Sequence, residues 1–379
     1  YAHLYQYNLL GTQKREIGKG TDIITDFYGI DEKTGTYYYQ AHENGPQRTA
    51  VYKCDAKGKV TRISTEQGQN SAIFSANYKN LMLTHHSTST PPTYTLRANT
   101  GKVTKTLQDN AALKQKLDGM NLGKIEFFNF QTQDGIDLNG IMVKPANFDA
   151  NKKYPVVLFQ YSGPGSQQVQ DSWYAGNCSA ALLERYMCQE GFVSVIVDGR
   201  GTGGRGADFE KQTYLKLGQL ESHDQVETAI YLSKQPWVDA KHIGIWGWSF
   251  GGFNTLMSMS EGRPVFYAGV AVAPPTSWRY YDTVYTERFM RTPKENAEGY
   301  DCSPISRANN LHGNLLIIHG LADDNVHFRN VAEYTEALVH ADKDFRQLTY
   351  TNRNHSIYGG NTRNHLYRQL VNHFKESMK

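Results

Sequence analysis

Two patterns divide the chain. Over residues 1 to about 110, short β-rich runs are separated by glycine turns, and the arrangement repeats. The segment Thr49-Ala-Val-Tyr-Lys-Cys-Asp-Ala-Lys-Gly-Lys-Val-Thr-Arg is echoed by Thr93-Tyr-Thr-Leu-Arg-Ala-Asn-Thr-Gly-Lys-Val-Thr-Lys, with the Gly-Lys-Val-Thr runs at Gly58 and Gly101 offset by 43. A looser copy starts at Leu4. Ahead of the two later copies lie further β-rich runs at 23–30 and 36–42, then at 72–76 and 81–86. Four short strands per period of about 43 is the spacing of β-propeller blades. The reading is two whole blades and the outer half of an earlier one, with a β-sandwich as the plainer alternative. Two and a half blades cannot close a propeller, and the chain opens on Tyr1 with no visible signal peptide. It is therefore expected to be the C-terminal part of a longer protein.

Residues 109–122 read as a polar helical linker. From residue 124 the pattern changes. Near-continuous apolar runs at 154–161, 192–198, 242–247, 265–273, 314–319 and 346–350 read as strands. Helical stretches near 178–190, 220–234, from 250, 328–340 and to the C-terminus fall between and after them. Val226, Ala229 and Ile230 show the i, i+3, i+4 spacing of a helix stripe. Apolar strands alternating with helices predict a mostly parallel sheet covered on both faces. The expected domains are 1–110, the last blades of an incomplete propeller, and 111–379, the linker and a catalytic α/β domain.

Composition narrows the function. Net charge is only +3, so a nucleic-acid-coating surface is not expected. Cys54, Cys178, Cys188 and Cys302 have no C-x-x-C spacing, which argues against a disulfide scaffold or a zinc ribbon. The longest apolar runs fall far short of the roughly 20 residues of a membrane span. The sparse cysteines fit an exported, periplasmic or cell-surface protein without demanding one. Aromatic residues reach 12%, suited to broad β-surfaces and a ring-lined pocket.

The strongest chemical signal is Gly247-Trp248-Ser249-Phe250-Gly251-Gly252, set between an apolar strand and a helical run. This is the G-x-S-x-G nucleophile elbow of α/β-hydrolases in its required strand–turn–helix context; a plain glycine-rich turn is the bland alternative. Ser249 is the expected nucleophile. A serine hydroxyl needs a base and an orienting carboxylate, which in this fold follow in the order acid, then His. Asp323 and Asp324 sit in the loop after the 314–319 strand, and Asp323 is preferred, with Asp324 read as stabilising the loop. His355 lies between the last strand and the last helix, where His327, His340, His365 and His373 are less well placed. For the oxyanion hole, one donor is the Phe250 N–H and the other is read as the Tyr161 hydroxyl, against a tyrosine merely ending a buried strand. Trp278, Tyr281 and Tyr285, spaced i, i+3, i+7, are expected on one helix face, either as core or as a flat apolar box for a ring such as proline. No cofactor is expected: the G-x-G-x-x-G run Gly201–Gly206 does not open a helix directly and lacks its acidic partner. No metal is expected, since the adjacent His85 and His86 diverge on a strand.

Five motifs occur in order: Tyr161-Ser162-Gly163-Pro164; Asp198-Gly199-Arg200-Gly201; the elbow; Ala273-Pro274 with Trp278-Arg279-Tyr280-Tyr281-Asp282 and Tyr285-Thr286-Glu287-Arg288; and His319-Gly320 with Asp323-Asp324-Asn325-Val326-His327-Phe328. Over essentially the whole chain the sequence thereby resembles the prolyl oligopeptidase family of serine peptidases. The resemblance implies an eight-bladed propeller with an α/β-hydrolase domain, and a bacterial-type member, because Ala268 stands where mammalian members have a disulfide cysteine. It implies release of N-terminal X-Pro, or less readily X-Ala, dipeptides from peptide substrates. Ser249, Asp323 and His355 would form the triad, and Tyr161 with the Phe250 N–H the oxyanion hole. Phe250, Trp278, Tyr281, Tyr285 and Val326 would line the proline pocket, and Asn325 would bind a substrate carbonyl. It also implies a homodimer, and a Glu pair for the substrate amine in an earlier blade outside these residues. A prolyl endopeptidase, an acylpeptide hydrolase, or a catalytically silent binding protein on the same scaffold are the alternatives.

Overall fold

The run Tyr37-Tyr38-Tyr39 shows how the β-rich part is built. Successive side chains on a strand point to opposite faces, yet all three tyrosines are buried. Tyr37 and Tyr39 pack with Ile17, Ile24, Ala41 and Cys54 on one face. Tyr38 packs with Val51, Ile63, Leu81 and Leu83 on the other. A sheet covered on both faces by neighbouring sheets is how a propeller blade sits in its stack. The computed structural model, which describes residues 1–18 and 23–378, has such sheets in its first part.

Strands Ile24–Asp31, Thr36–His42, Thr49–Cys54 and Val60–Arg62 form one four-stranded antiparallel meander. Strands Gln69–Phe74, Asn80–Ser87, Thr90–Ala98 and Val103–Gln108 form a second. A hairpin of Leu4–Tyr7 and Gln13–Ile17 precedes them. The repeated glycines close the outer turns in the left-handed region: Gly58 has φ 90° and Gly101 φ 93°. A Cβ on Gly101 would also stand 2.5 Å from the Ile63 carbonyl oxygen, so the turn needs glycine twice over.

The chain folds as two compact units, the first comprising 1–122, 169–182 and 203–209. The sequence placed a division after residue 110. The compact unit instead runs through the helix Ala111–Asp118 and gains two later segments. Asp171 shows why the first of these belongs there: its carboxylate accepts from Arg48 Nε at 2.9 Å and from the Thr88 N–H and hydroxyl at 3.1 and 3.0 Å.

The second unit is one eight-stranded sheet with helices. In spatial order its strands are Lys124–Gln131, Asp137–Lys144, Val193–Asp198, Tyr154–Phe159, Val238–Trp248, Ala268–Val272, Asn314–Gly320 and Arg346–Tyr350. The first two were not anticipated as strands; they form an antiparallel hairpin on the sheet edge. The rest pair in parallel. Every residue of Val193–Asp198 and Ala268–Val272 is buried, as continuous apolar strands require. After Tyr154–Phe159 the chain pairs its next strand on one side and Val238–Trp248 on the other. The order reverses there, and the carboxyl ends of strands at such a point are where ligands bind in open α/β sheets. This is the α/β-hydrolase architecture. Among the described residues no disulfide joins the four cysteines. Among the described residues no helix is long and apolar enough to cross a membrane.

Candidate active site

The strands flanking the reversal end in the two motifs of most chemical interest. Val238–Trp248 runs into Ser249, and the helix Phe250–Met259 starts directly after it. Ser249 has φ 59° and ψ −119°, a strained setting for a residue with a Cβ. The surrounding glycines make that turn possible. A Cβ on Gly247 would lie 2.4 Å from the Gly251 carbonyl carbon, and one on Gly251 would lie 2.4 Å from the Gln160 carbonyl oxygen. The Ser249 N–H is fixed on the Val272 carbonyl at 2.8 Å. The half-buried Ser249 is thus held between a strand end and a helix N-terminus, whose first N–H groups, Phe250 included, have no acceptor within the helix.

Gln160, which the sequence analysis passed over, joins the other strand to this elbow. Its side-chain amide donates to the Gly251 carbonyl at 2.7 Å and to the Thr255 hydroxyl at 3.1 Å. Its oxygen accepts from Asn254 at 3.1 Å and Ser162 at 2.9 Å. A fully buried amide with so many partners fixes the backbone on which Tyr161 stands. The Tyr161 ring lies 6.0 Å from that of Phe250. Burial raises the Tyr161 hydroxyl above its ordinary range, so at neutral pH it is a neutral donor.

Asp323 and His355 meet across two loops: His355 Nδ1 is 2.8 Å from Asp323 Oδ2. The other carboxylate oxygen accepts the N–H groups of Asn325 and Val326 at 3.0 and 2.8 Å. Burial alone would raise this carboxyl, but hydrogen bonds from His319 and His355, the His355 charge and the Val326 N–H outweigh it and hold it well below the usual carboxylate range. His319, which stands in the fifth motif without a role read for it, is fully buried with Nε2 2.8 Å from the Val326 carbonyl and 3.3 Å from Asp323 Oδ2. Its place in that motif, four residues before Asp323, is the signal that could have assigned it this role. Asp324, by contrast, is exposed.

The aromatic group differs from the expected helix face. Trp278 lies in a 3₁₀ turn, Trp278–Tyr280, Tyr281 follows it in extended conformation, and Tyr285 is in the first turn of the helix Thr283–Met290. The cause is Asp282, whose carboxylate caps that helix by accepting the Tyr285 N–H and so starts it after Tyr281. The rings still converge: Trp278 is 6.0 Å from Tyr281, 5.9 Å from Tyr285 and 5.6 Å from Phe250. Leu217, Phe253, Met257 and Met290 back them. The Tyr281 hydroxyl donates to Asn325 Oδ1 at 2.8 Å, and Val326 beside it is fully buried. The arrangement brings a ring-walled surface to the elbow that carries Ser249, with a carboxylate-held imidazole at His355 and a neutral hydroxyl at Tyr161.

The Gly201–Gly206 run is a turn, followed by only the four-residue helix Ala207–Glu210. Arg200 ahead of it binds the Asp224 carboxylate through Nε and Nη2 and reaches Asp134 at 2.8 Å.

A family model described as the prolyl oligopeptidase family matches residues 180–379. A second, described as the dipeptidyl peptidase IV N-terminal region, matches residues 1–92. The chain is 34% identical to a probable dipeptidyl peptidase 4 of Aspergillus flavus, over 98% of this chain and 49% of the relative. It is likewise 34% identical to a dipeptidyl peptidase 4 of Arthroderma otae, with the same coverage of 98% and 49%. Among solved structures, dipeptidyl peptidase 4 of Porphyromonas gingivalis superposes with a TM-score of 0.93 at 46% identity, covering 99% of this chain and 53% of that one. A putative dipeptidyl aminopeptidase IV of Bacteroides ovatus gives 0.87 at 30% identity, covering 99% and 54%. The chain thus spans about half the length of the curated relatives it matches.

Proposed function

We propose, for a chain that belongs to the prolyl oligopeptidase family, that it carries the catalytic half of a serine exopeptidase releasing X-Pro or X-Ala dipeptides from peptide N-termini. The observation that supports this most is the ring box adjoining the elbow, where Phe250 directly follows Ser249 and faces Trp278. A flat apolar wall of this kind suits a pyrrolidine ring and holds the following carbonyl toward Ser249.

In this reading His355 takes the Ser249 proton as the hydroxyl attacks the prolyl carbonyl. Asp323, kept ionised by its hydrogen bonds, holds the imidazole tautomer and stabilises the imidazolium. The oxyanion is met by the Tyr161 hydroxyl and the Phe250 N–H. His355 returns the proton to the leaving amine, and water, activated by the same base, hydrolyses the acyl-enzyme. Phe250, Trp278, Tyr281, Tyr285 and Val326 line the proline pocket, and Asn325, oriented by Tyr281, binds a substrate carbonyl. The same reading takes the working form as an exported homodimer.

The test uses the intact protein on glycyl-prolyl and N-blocked glycyl-prolyl chromogenic substrates, with a fluorophosphonate label to mark the nucleophile. Cleavage of only the free-amine substrate, with Ser249 labelled, is expected. Cleavage of the blocked substrate would move the protein to the endopeptidase or acylpeptide hydrolase reading. Full turnover by Ser249→Ala would remove the nucleophile assignment.

A further inference from the structure

The loop that carries His355 is weakly rooted by packing. Between residues 351 and 361 only Ile357 is buried. Ile357 has φ 43°, a left-handed setting that a β-branched residue adopts at a cost. Such a conformation persists only where its surroundings over-determine it. Asp323 holds the His355 ring, but it does not hold this backbone.

Two side chains do. Trp248 Nε1 donates to the His355 carbonyl at 3.1 Å. Arg363, at the start of the helix Thr362–Met378, donates through Nη2 to the Ser356 carbonyl and through Nε to the Ile357 carbonyl at 3.3 Å. Three successive carbonyls of the base loop are thereby taken. The two side chains also support each other: the Arg363 guanidinium lies 4.8 Å from the centre of the Trp248 ring, and its remaining nitrogen reaches the Tyr367 hydroxyl at 3.2 Å. Trp248 is the residue immediately before Ser249.

We propose that Arg363 is a positioning residue, which with Trp248 clamps the base loop to the nucleophile strand and sets the register of His355 against Ser249. The inference rests on the reading of Ser249 as nucleophile and His355 as base. A planar guanidinium suits the task because its fixed fork spans adjacent carbonyls while its face stacks on the indole; an ammonium is a point donor and does neither. With the clamp open, Ile357 can relax from its strained setting and carry His355 away from the serine.

The experiment compares Arg363→Ala, Arg363→Lys and Trp248→Phe with His355→Ala in the intact protein on a glycyl-prolyl chromogenic substrate. Misplacing a catalytic group by an ångström costs roughly 10²-fold, so Arg363→Ala is expected to lose about ten- to hundredfold in kcat. KM should stay within about twofold and the thermal midpoint close to that of the parent, and Arg363→Lys should stay low. Parental kcat in Arg363→Ala, a loss confined to KM, or full recovery by Arg363→Lys would overturn the clamp. Should Arg363→Ala fail to fold, Trp248→Phe, which keeps a ring and removes the donor, decides: a loss in kcat alone supports the clamp, and parental kcat overturns it. Undiminished turnover in His355→Ala would instead overturn the base assignment beneath it.

Discussion

His355 Nδ1 lies 2.8 Å from Asp323 Oδ2, while the other oxygen of that carboxylate is pinned by the N–H groups of Asn325 and Val326. The acid is thus oriented before the histidine reaches it. Asp323→Asn would keep the shape but offer an N–H where the imidazole needs an acceptor, favouring the wrong tautomer. A fall in kcat of about 10⁴-fold is expected, by comparison with other Ser-His-Asp sites. Steady-state kinetics of the purified variant checks it, and a loss under tenfold would mean that another group orients His355.

Tyr161 should matter in the transition state and little in substrate binding. Its hydroxyl is neutral and its backbone is fixed through Gln160. Tyr161→Phe is expected to lower kcat about 10²–10³-fold with KM nearly unchanged, the cost of one oxyanion donor. A variant whose defect lay in KM would make Tyr161 a binding-wall residue.

Gly251 is required for space. A Cβ there would meet two backbone atoms, the Gln160 oxygen at 2.4 Å and the Tyr161 Cα at 3.1 Å, neither of which can swing aside. Gly251→Ala should cost about 1–3 kcal/mol of stability from overpacking, with activity falling further because both the elbow and Tyr161 shift. Gly119→Ala is the control: that glycine is exposed with φ −73°, and its Cβ would meet nothing closer than 3.5 Å. Chemical denaturation of the two variants should separate them clearly.

Glu221 predicts a pH dependence of stability. It is fully buried in the first turn of the helix Gln219–Ser233, where it accepts the Gly218 N–H at 2.9 Å. Burial pushes its carboxyl up to about 8. A group raised in the folded state contributes stability that is whole below its ordinary value and is lost as pH rises through the folded one. Between about pH 4.5 and 8 the parent should therefore lose stability relative to Glu221→Gln, by on the order of a few kcal/mol. Urea midpoints of both proteins at pH 5 and pH 8 measure it, and parallel pH profiles would refute it.

Much of this was legible in the chain. The 43-residue offset between Gly58 and Gly101 gave the blades because each glycine is locked into an outer turn, and a backbone constraint of that kind repeats wherever the turn does. The elbow was legible for the same reason: only glycine fits at Gly247 and Gly251. The edge hairpin of Lys124–Gln131 and Asp137–Lys144 was not, since its outer strand mixes exposed polar positions with half-buried ones, only Phe130 being buried, and lacks the apolar run of a central strand. Nor was the aromatic group's true path, because a single cap at Asp282 moved a helix start that ring spacing alone put earlier.

The sequence by itself determined the blade repeat, the alternation of apolar strands and helices beyond residue 154, the glycine-bounded turn at Ser249 and the residue types able to act as base, acid and donor. These depend on local backbone sterics and on side-chain chemistry. The preference for Asp323 over Asp324 was legible too, but only the tertiary structure shows its carboxylate against His355 while Asp324 lies exposed. It also decided that Gln160 and His319 hold the residues around them, and that Trp248 and Arg363 grip the base loop. Those contacts join residues up to 107 positions apart. A hydrogen bond between distant residues leaves no periodicity in the chain, since its partners are brought together only when the strands take their places in the sheet.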